Sequence, residues 1–405
     1  MELNYLAFAI PGFFLFLGLE YTIALKKNRS GIFNMDNSIT NLSVGIAERL
    51  LNLFISGSFF GLFYWIYENY ALFNIPNTWW VWALLILLTD LVWYWYHRLG
   101  HEINILWAAH IVHHQSEDFN YTVSARITVF QALIRNIFWC ILPLLGFHPV
   151  LVITILVIHG AYSFFTHTQL IGKLGWLEHI LITPSLHGIH HASDEKYLNK
   201  NYGDVFVFWD KLFGTFQKEE EKPSYGLTHP LNSHSFLWQH FHYYMEIFAS
   251  CATKPGIWNK LKVVFGRPED MDQNLRPQLE KVFLPHSKKK NDRNRRFRNY
   301  VLIQFAFVSI VLFLMTLFFK HLTVEVKIAG AVITLLTLIN CGALLEQRTW
   351  LYNLEKFRLF VLLTFICQQF QSIDFFFLTT LLIFSLDLII PVKKYYFAIL
   401  NHHDQ

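Results

Sequence analysis

"TDLVWYWYHRLGHEINILWAAHIVHH", residues 89–114, begins inside an apolar run long enough to cross a membrane and crowds five histidines into its last eighteen positions. An imidazole needs a polar partner when buried, so five of them at the end of an apolar helix demand a compensating interaction. The first half of the stretch decides the fold class. The second half poses the chemical question.

The rest of the chain has the character of that first half. Of its 405 residues 54% are hydrophobic and only 15% are charged, against about 25% charged in a soluble domain. Its bulk belongs in lipid. The net charge of +4 is gathered in a few loops, so it bears on orientation in a membrane and implies no nucleic-acid partner. Cys140, Cys251, Cys341 and Cys367 have no paired spacing, so no disulfide framework or zinc ribbon is implied. In the first thirty residues the basic group follows the apolar run, so this segment reads as a retained first span and not as a signal peptide.

A spanning helix needs about 20 apolar residues. The sequence therefore predicts an all-α, polytopic membrane protein with about nine spans, near 5–25, 42–67, 78–98, 128–147, 149–169, 299–319, 327–345, 357–373 and 374–392. "QQFQSID" at 368–374 interrupts the last apolar stretch and leaves eight as the alternative count. Lysine and arginine favour the cytoplasmic side. An outward N-terminus puts "KKNR" (26–29), the basic run at 288–298, the groups around 346–358 and "KK" (393–394) all inside. His97, His101 and His167 then end their spans on that same face, where the polar segment 170–298 forms a cap. Within the cap, the aromatic-rich stretch 235–252 is expected to lie along the interface. Three regions result: an N-terminal hairpin (1–77), a catalytic region of three spans plus cap (78–298), and C-terminal helices (299–405).

Three histidine groups stand out: His97 and His101; His110, His113 and His114; His187, His190 and His191. Residues three and four apart share a helix face, so each group aims two or three imidazoles at one point. Neutral imidazole binds a cation without first losing a proton. Eight imidazoles exceed the needs of one ion and divide naturally between two. Other metal motifs fail on inspection. "HEINI" has Ile105 where a zinc protease needs its second histidine, and no Glu-x-x-His pair of the carboxylate-rich di-iron bundles occurs. A membrane metal transporter or sensor is the rival class. It predicts ligands near mid-membrane or in flexible His-rich tracts.

At these residues the chain resembles the membrane-bound fatty acid hydroxylase and sterol desaturase superfamily, and within it the alkylglycerol monooxygenase-like branch. The supporting stretches are 89–126, 164–191 and "NKNYGDVFVFWDKLFGTFQKEEEKPSYGLTHP" at 199–230. The resemblance implies two iron ions held by His97, His101, His110, His113, His114, His187, His190 and His191, with His167 of "FFTHTQL" as a ninth ligand. Some relatives have another histidine one turn before that position, where this chain has Ser163. The implied reaction is hydroxylation of a lipid C–H bond by O2, with electrons from an external donor. In the branch the target is the ether carbon of an alkylglycerol and the reductant is tetrahydrobiopterin. Fatty acid, sterol or carotenoid hydroxylation or desaturation is the alternative within the superfamily.

Charged and polar groups beside the ligands are costly in lipid unless they have a role. Asp90 precedes His97 by two helical turns and is expected to orient a ligand imidazole. Glu117 and Asn120 after the second group, with Arg126 beyond them, and Glu178 before the third, are further candidates. His159 and His179 lie outside the motif and are expected to be packing residues.

Overall fold

A computed structural model describes residues 3–284, 295–348, 350–370 and 373–399. Most of the basic run at 288–298, and the centre of the interruption at 368–374, lie outside those residues. The described residues form an α-helical protein whose only β features are the isolated bridges Leu181–Phe206 and Ala192–Tyr225.

The helices are α1 (Ala9–Lys26), α2 (Met35–Tyr70), α3 (Trp79–Glu102), α4 (Asn104–His114), α5 (Tyr121–Ser124), α6 (Val129–Trp139), α7 (Ile141–Leu145), α8 (Pro149–Thr166), α9 (Pro184–His190), α10 (Phe208–Phe213), α11 (Phe236–Thr253), α12 (Ile257–Val264), α13 (Leu275–Phe283), α14 (Arg295–Phe318), α15 (Val324–Leu345), α16 (Leu351–Phe370), α17 (Ile373–Ile389) and α18 (Val392–Ile399). Among the described residues six helices are long and apolar enough to cross a membrane: Tyr5–Lys26, α2, α3, α8, α14 and α15. The protein is thus a multi-pass membrane protein. The last two expected spans fall on α16 and α17.

The expected span at 128–147 is instead two helices of 11 and 5 residues. Pro143 has no N–H to give the carbonyl four residues back, that of Trp139, so the helix ends there and a new turn begins. Gly146 closes it at φ +105°, with Phe73 O only 1.9 Å from where a Cβ would stand. Elsewhere the ends are set by side-chain caps. Asn34 accepts from the amides of Asp36 and Asn37 to start α2, and Thr183 accepts from Leu186 N, with Pro184 in the first turn, to start α9.

The chain forms two compact units. One comprises Phe14–Asn232 and His240–Leu279, and contains every histidine of the three groups and His167. Helices from 14–77 therefore belong with the histidine-bearing region. Its apolar core is formed by Phe63 of α2, Val81 and Leu85 of α3, Trp139 and Leu142 of α6–α7, and Leu151, Val152 and Ile155 of α8. A second cluster joins Val44 of α2, Ala108, Ile111 and Val112 of α4, and Tyr243 and Ile247 of α11. The other unit is built from the described residues of 1–13, 233–239 and 280–405. There the Arg358 guanidinium binds Glu355, Gln304 and Thr337 in a buried polar knot between α14, α15 and α16.

α2 approaches the chain after α5 at Gly45, where an added Cβ would stand 2.4 Å from Ala125 O and 2.9 Å from Ala125 Cβ. Alanine usually improves a helix by about 1 kcal/mol over glycine. Here the backbone contact outweighs that gain. Gly45→Ala is expected to destabilise the protein by about 1–3 kcal/mol, seen as a lower melting temperature in detergent.

Candidate metal centre

His97 and His101 occupy the last two turns of α3, which stops at Ile103. The chain reverses there and α4 packs back along α3, placing His110 beside Gly100, whose Cβ position is 3.8 Å from the His110 ring. His187 and His190 lie on α9 with His191 at its end, and His167 follows the last turn of α8. Four elements thus bring nine imidazoles together.

They sort into two groups. His97, His101, His110, His114 and His190 form one, and His113, His167, His187 and His191 the other; within each, one ligand atom per residue lies within 4.8 Å of all the rest. The Nε2 atoms of His97 and His110 are 3.0 Å apart, those of His110 and His114 3.1 Å, those of His113 and His167 3.2 Å, and those of His167 and His187 3.1 Å. Two nitrogens bound at right angles about 2.1 Å from one ion sit about 3.0 Å from each other, so these spacings suit ligands that share a cation.

The tautomers make the point sharper. His113 Nδ1 donates to Arg126 O at 3.2 Å and His167 Nδ1 donates to Ser163 O at 2.7 Å. Both protons are therefore on the far side, and the 3.2 Å contact brings two lone pairs face to face. Only a cation between them makes that arrangement favourable. Burial and the neighbouring imidazoles hold His110, His113, His114, His187, His190 and His191 well below the usual histidine range, and burial takes His167 down to about 4. These rings are neutral and ready to ligate. Among the described residues the Nε2 atoms of His101, His190 and His191 are buried with no hydrogen-bond partner, which is costly unless they bind something else. An all-nitrogen donor set of this kind fits iron or zinc and offers no thiolate for an iron–sulfur cluster.

The candidate carboxylates are placed differently. Asp90 does not meet a ligand ring. It accepts from Val205 N and Phe206 N at 2.9 and 3.0 Å and lies 4.0 Å from His159 Nδ1. Asn120 caps α5 through Thr122 N and donates to Ile32 O, Glu178 accepts from Leu174 N and Thr183 Oγ1, and Glu117 is exposed, its side chain beside Gly226. None of the four belongs to either histidine group. His159 binds Asp204 at 3.0 Å in a buried cluster of its own with Asp90. His179 is exposed.

Residues that the sequence did not single out stand directly behind the ligands. Tyr202 O accepts from His97 Nδ1 at 2.8 Å, and Lys200 O from His190 Nδ1 at 2.9 Å. A backbone carbonyl leaves no mark in side-chain identity. The signal present is "NKNYG", whose asparagines and glycine favour tight bends. Arg126, which the sequence did single out, is 2% exposed, and its guanidinium donates to Val112 O, Asn41 Oδ1 and Gln115 Oε1, bracing α4 behind His113.

A fatty acid hydroxylase family model matches residues 82–215. The alkylglycerol monooxygenase of Homo sapiens is 34% identical over 88% of this chain and 81% of its own length. That of Danio rerio is 33% identical over 88% of this chain and 80% of its own. The ornithine lipid hydroxylase OlsE of Rhizobium tropici is 31% identical over 33% of this chain and 41% of its own length. No solved structure gives a significant match.

Proposed function

The chain belongs to the fatty acid hydroxylase family of membrane-bound lipid monooxygenases, and on that premise we propose that it is a di-iron enzyme that hydroxylates the ether carbon of an alkylglycerol. The observation that carries the metal reading is the pair of neutral, lone-pair-bearing nitrogens of His113 and His167 at 3.2 Å. What supports the substrate is the relation to alkylglycerol monooxygenases along most of the chain.

Two irons, one in each histidine group, would supply oxygen activation. The eight motif histidines and His167 would hold them, and the buried surroundings keep bulk water from the site. Hydroxylation consumes one O2, two electrons and two protons; one oxygen atom enters the C–H bond beside the ether oxygen and the other leaves as water. The resulting hemiacetal breaks its C–O bond to give a fatty aldehyde and a free glycerol hydroxyl. Tetrahydrobiopterin is the two-electron donor in this reading. The basic groups at 26–29 and 393–394 support a site on the cytoplasmic face, where a lipid arrives from the bilayer and a soluble reductant from water.

The test is turnover by membranes containing the chain. They receive a 1-O-alkylglycerol, the matching 1-acylglycerol without an ether, and an ornithine lipid, each with and without tetrahydrobiopterin. Aldehyde from the ether lipid alone, dependent on the pterin, is the expected outcome. Oxidation of another lipid with none of the ether rejects the substrate assignment, and pterin-independent turnover rejects the reductant.

A further inference from the structure

One short turn stands behind one histidine group and not the other. Lys200 and Tyr202 give their carbonyls to His190 and His97, both of the five-histidine group. The carbonyls behind the four-histidine group come from Arg126 and Ser163, in other parts of the chain. Between Lys200 and Tyr202 lies Asn201 at φ +53°, a bend that asparagine tolerates better than most residues. Its side chain donates to Leu186 O and Gln217 O and accepts from Gln217 N, which pins the bend.

Two buried carboxylates hold the rest of the turn. Asp210, 0% exposed, accepts from Tyr202 N at 2.7 Å and Gly203 N at 2.9 Å, and from Thr215 Oγ1 at 2.7 Å. Asp90, also 0% exposed, takes Val205 N and Phe206 N. Gly203 leaves no room for a side chain: a Cβ would meet Phe206 O at 2.7 Å and Asp210 Oδ2 at 2.9 Å. Placing two carboxylates in the interior is costly, and here they are spent on four backbone amides of a seven-residue turn. Each side chain accepts from two neighbouring amides at once. These bonds make the turn rigid where it touches His97 and His190.

We propose that Asp210, seconded by Asp90, is a positioning residue for one metal position only. By fixing the Lys200 and Tyr202 carbonyls it holds the protons of His97 and His190 on Nδ1 and aims both Nε2 atoms at the five-histidine position. The four-histidine position is independent of it. This inference rests on the two-metal reading above.

The experiment measures iron per chain in full-length protein purified in lipid nanodiscs, for wild type, Asp210→Asn and Asp90→Asn. In Asp210→Asn an amide NH2 replaces one acceptor that faces a backbone N–H. Affinity at one position is expected to fall about 10–100-fold. After dialysis against a mild chelator the variant should keep about half the wild-type iron, and the retained iron certifies that the four-histidine group is folded. Asp90→Asn should lose iron in the same pattern but less completely. Thr215→Val, which keeps the side-chain shape but removes the hydroxyl bonds to Asp210 and to the Tyr94 hydroxyl, is the variant to read if the aspartate substitutions do not fold, with a smaller loss of the same half. A purely structural role lowers yield and melting temperature but leaves iron per folded chain at the wild-type value, and that result overturns the proposal. Equal loss of both irons from monodisperse protein overturns it as well. Wild type without iron would defeat the two-metal reading itself, an outcome distinct from either.

Discussion

His113→Ala is expected to reduce lipid oxidation by more than about 100-fold, a larger effect than is typical when a group behind a metal ligand is lost. His113 is the ring on which the four-histidine group turns: its Nε2 is 3.2 Å from that of His167, and its ring packs on those of His114, His167 and His191. Removing it takes one of four nitrogens from that position and leaves a space that water can enter. The neighbours are too short to refill the place, because His187 and His191 are held on or beside α9 and His167 is tied through Nδ1 to Ser163 O. Turnover and iron content are to be measured together on the same preparation. Full activity with full iron would mean that the nine rings are not the ligand shell.

Arg126→Ala is the second large effect, and it falls on stability. The guanidinium is buried, and burial takes its pKa down to about 9, so it remains charged at neutral pH. Its three bonds go to Val112 O at 2.5 Å, Asn41 Oδ1 at 2.8 Å and Gln115 Oε1 at 2.5 Å, which tie α2 to the middle and the C-terminal end of the second histidine group. Alanine strands these acceptors and opens a cavity. Loss of hydrogen bonds to a charged donor and of packing together predicts a destabilisation of about 3–5 kcal/mol. Lysine is not expected to restore the stability, because a single ammonium cannot reproduce a planar fork with three separated partners. Thermal unfolding in detergent, wild type against Arg126→Ala and Arg126→Lys, reads the effect directly. His113 should be disturbed too, since its Nδ1 partner is the Arg126 carbonyl.

How much of this could be read in advance depended on the kind of interaction. Long apolar helices announce themselves by composition, so the first three spans and those at 149–169, 299–319 and 327–345 fall on observed helices. The segment 128–147 is as apolar as they are, but Pro143 takes away a hydrogen bond that hydropathy does not count. The histidines were legible because their spacing and the helical period agree. Which ring joins which group was not, since it depends on how α3, α4 and α9 meet: His113 and His114 are neighbours in sequence and belong to different groups.

Asp90 shows the limit best. Its burial in an apolar helix signalled a role, and two helical turns from His97 suggested a direct bond. Its partners are instead amides 115 and 116 residues away, in a turn that in turn supports His97. Distances of that kind along the chain are set by tertiary packing alone. Asn120 and Glu178, which looked like groups serving the reaction, satisfy backbone amides at the start of short helices and turns. Polar residues beside a metal site are as necessary for ending helices as for chemistry, and residue type does not separate the two.

A monooxygenase takes the inserted atom from O2, so the decisive quantity is the origin of the oxygen inserted into the lipid. Membranes containing the protein would be supplied with 1-O-alkylglycerol, reductant and oxygen-18 gas, with the aldehyde reduced to the alcohol as it forms so that its oxygen cannot exchange with water. One labelled oxygen in the trapped fatty alcohol and no product without O2 are expected. Unlabelled alcohol, or equal product under nitrogen, would contradict a monooxygenase.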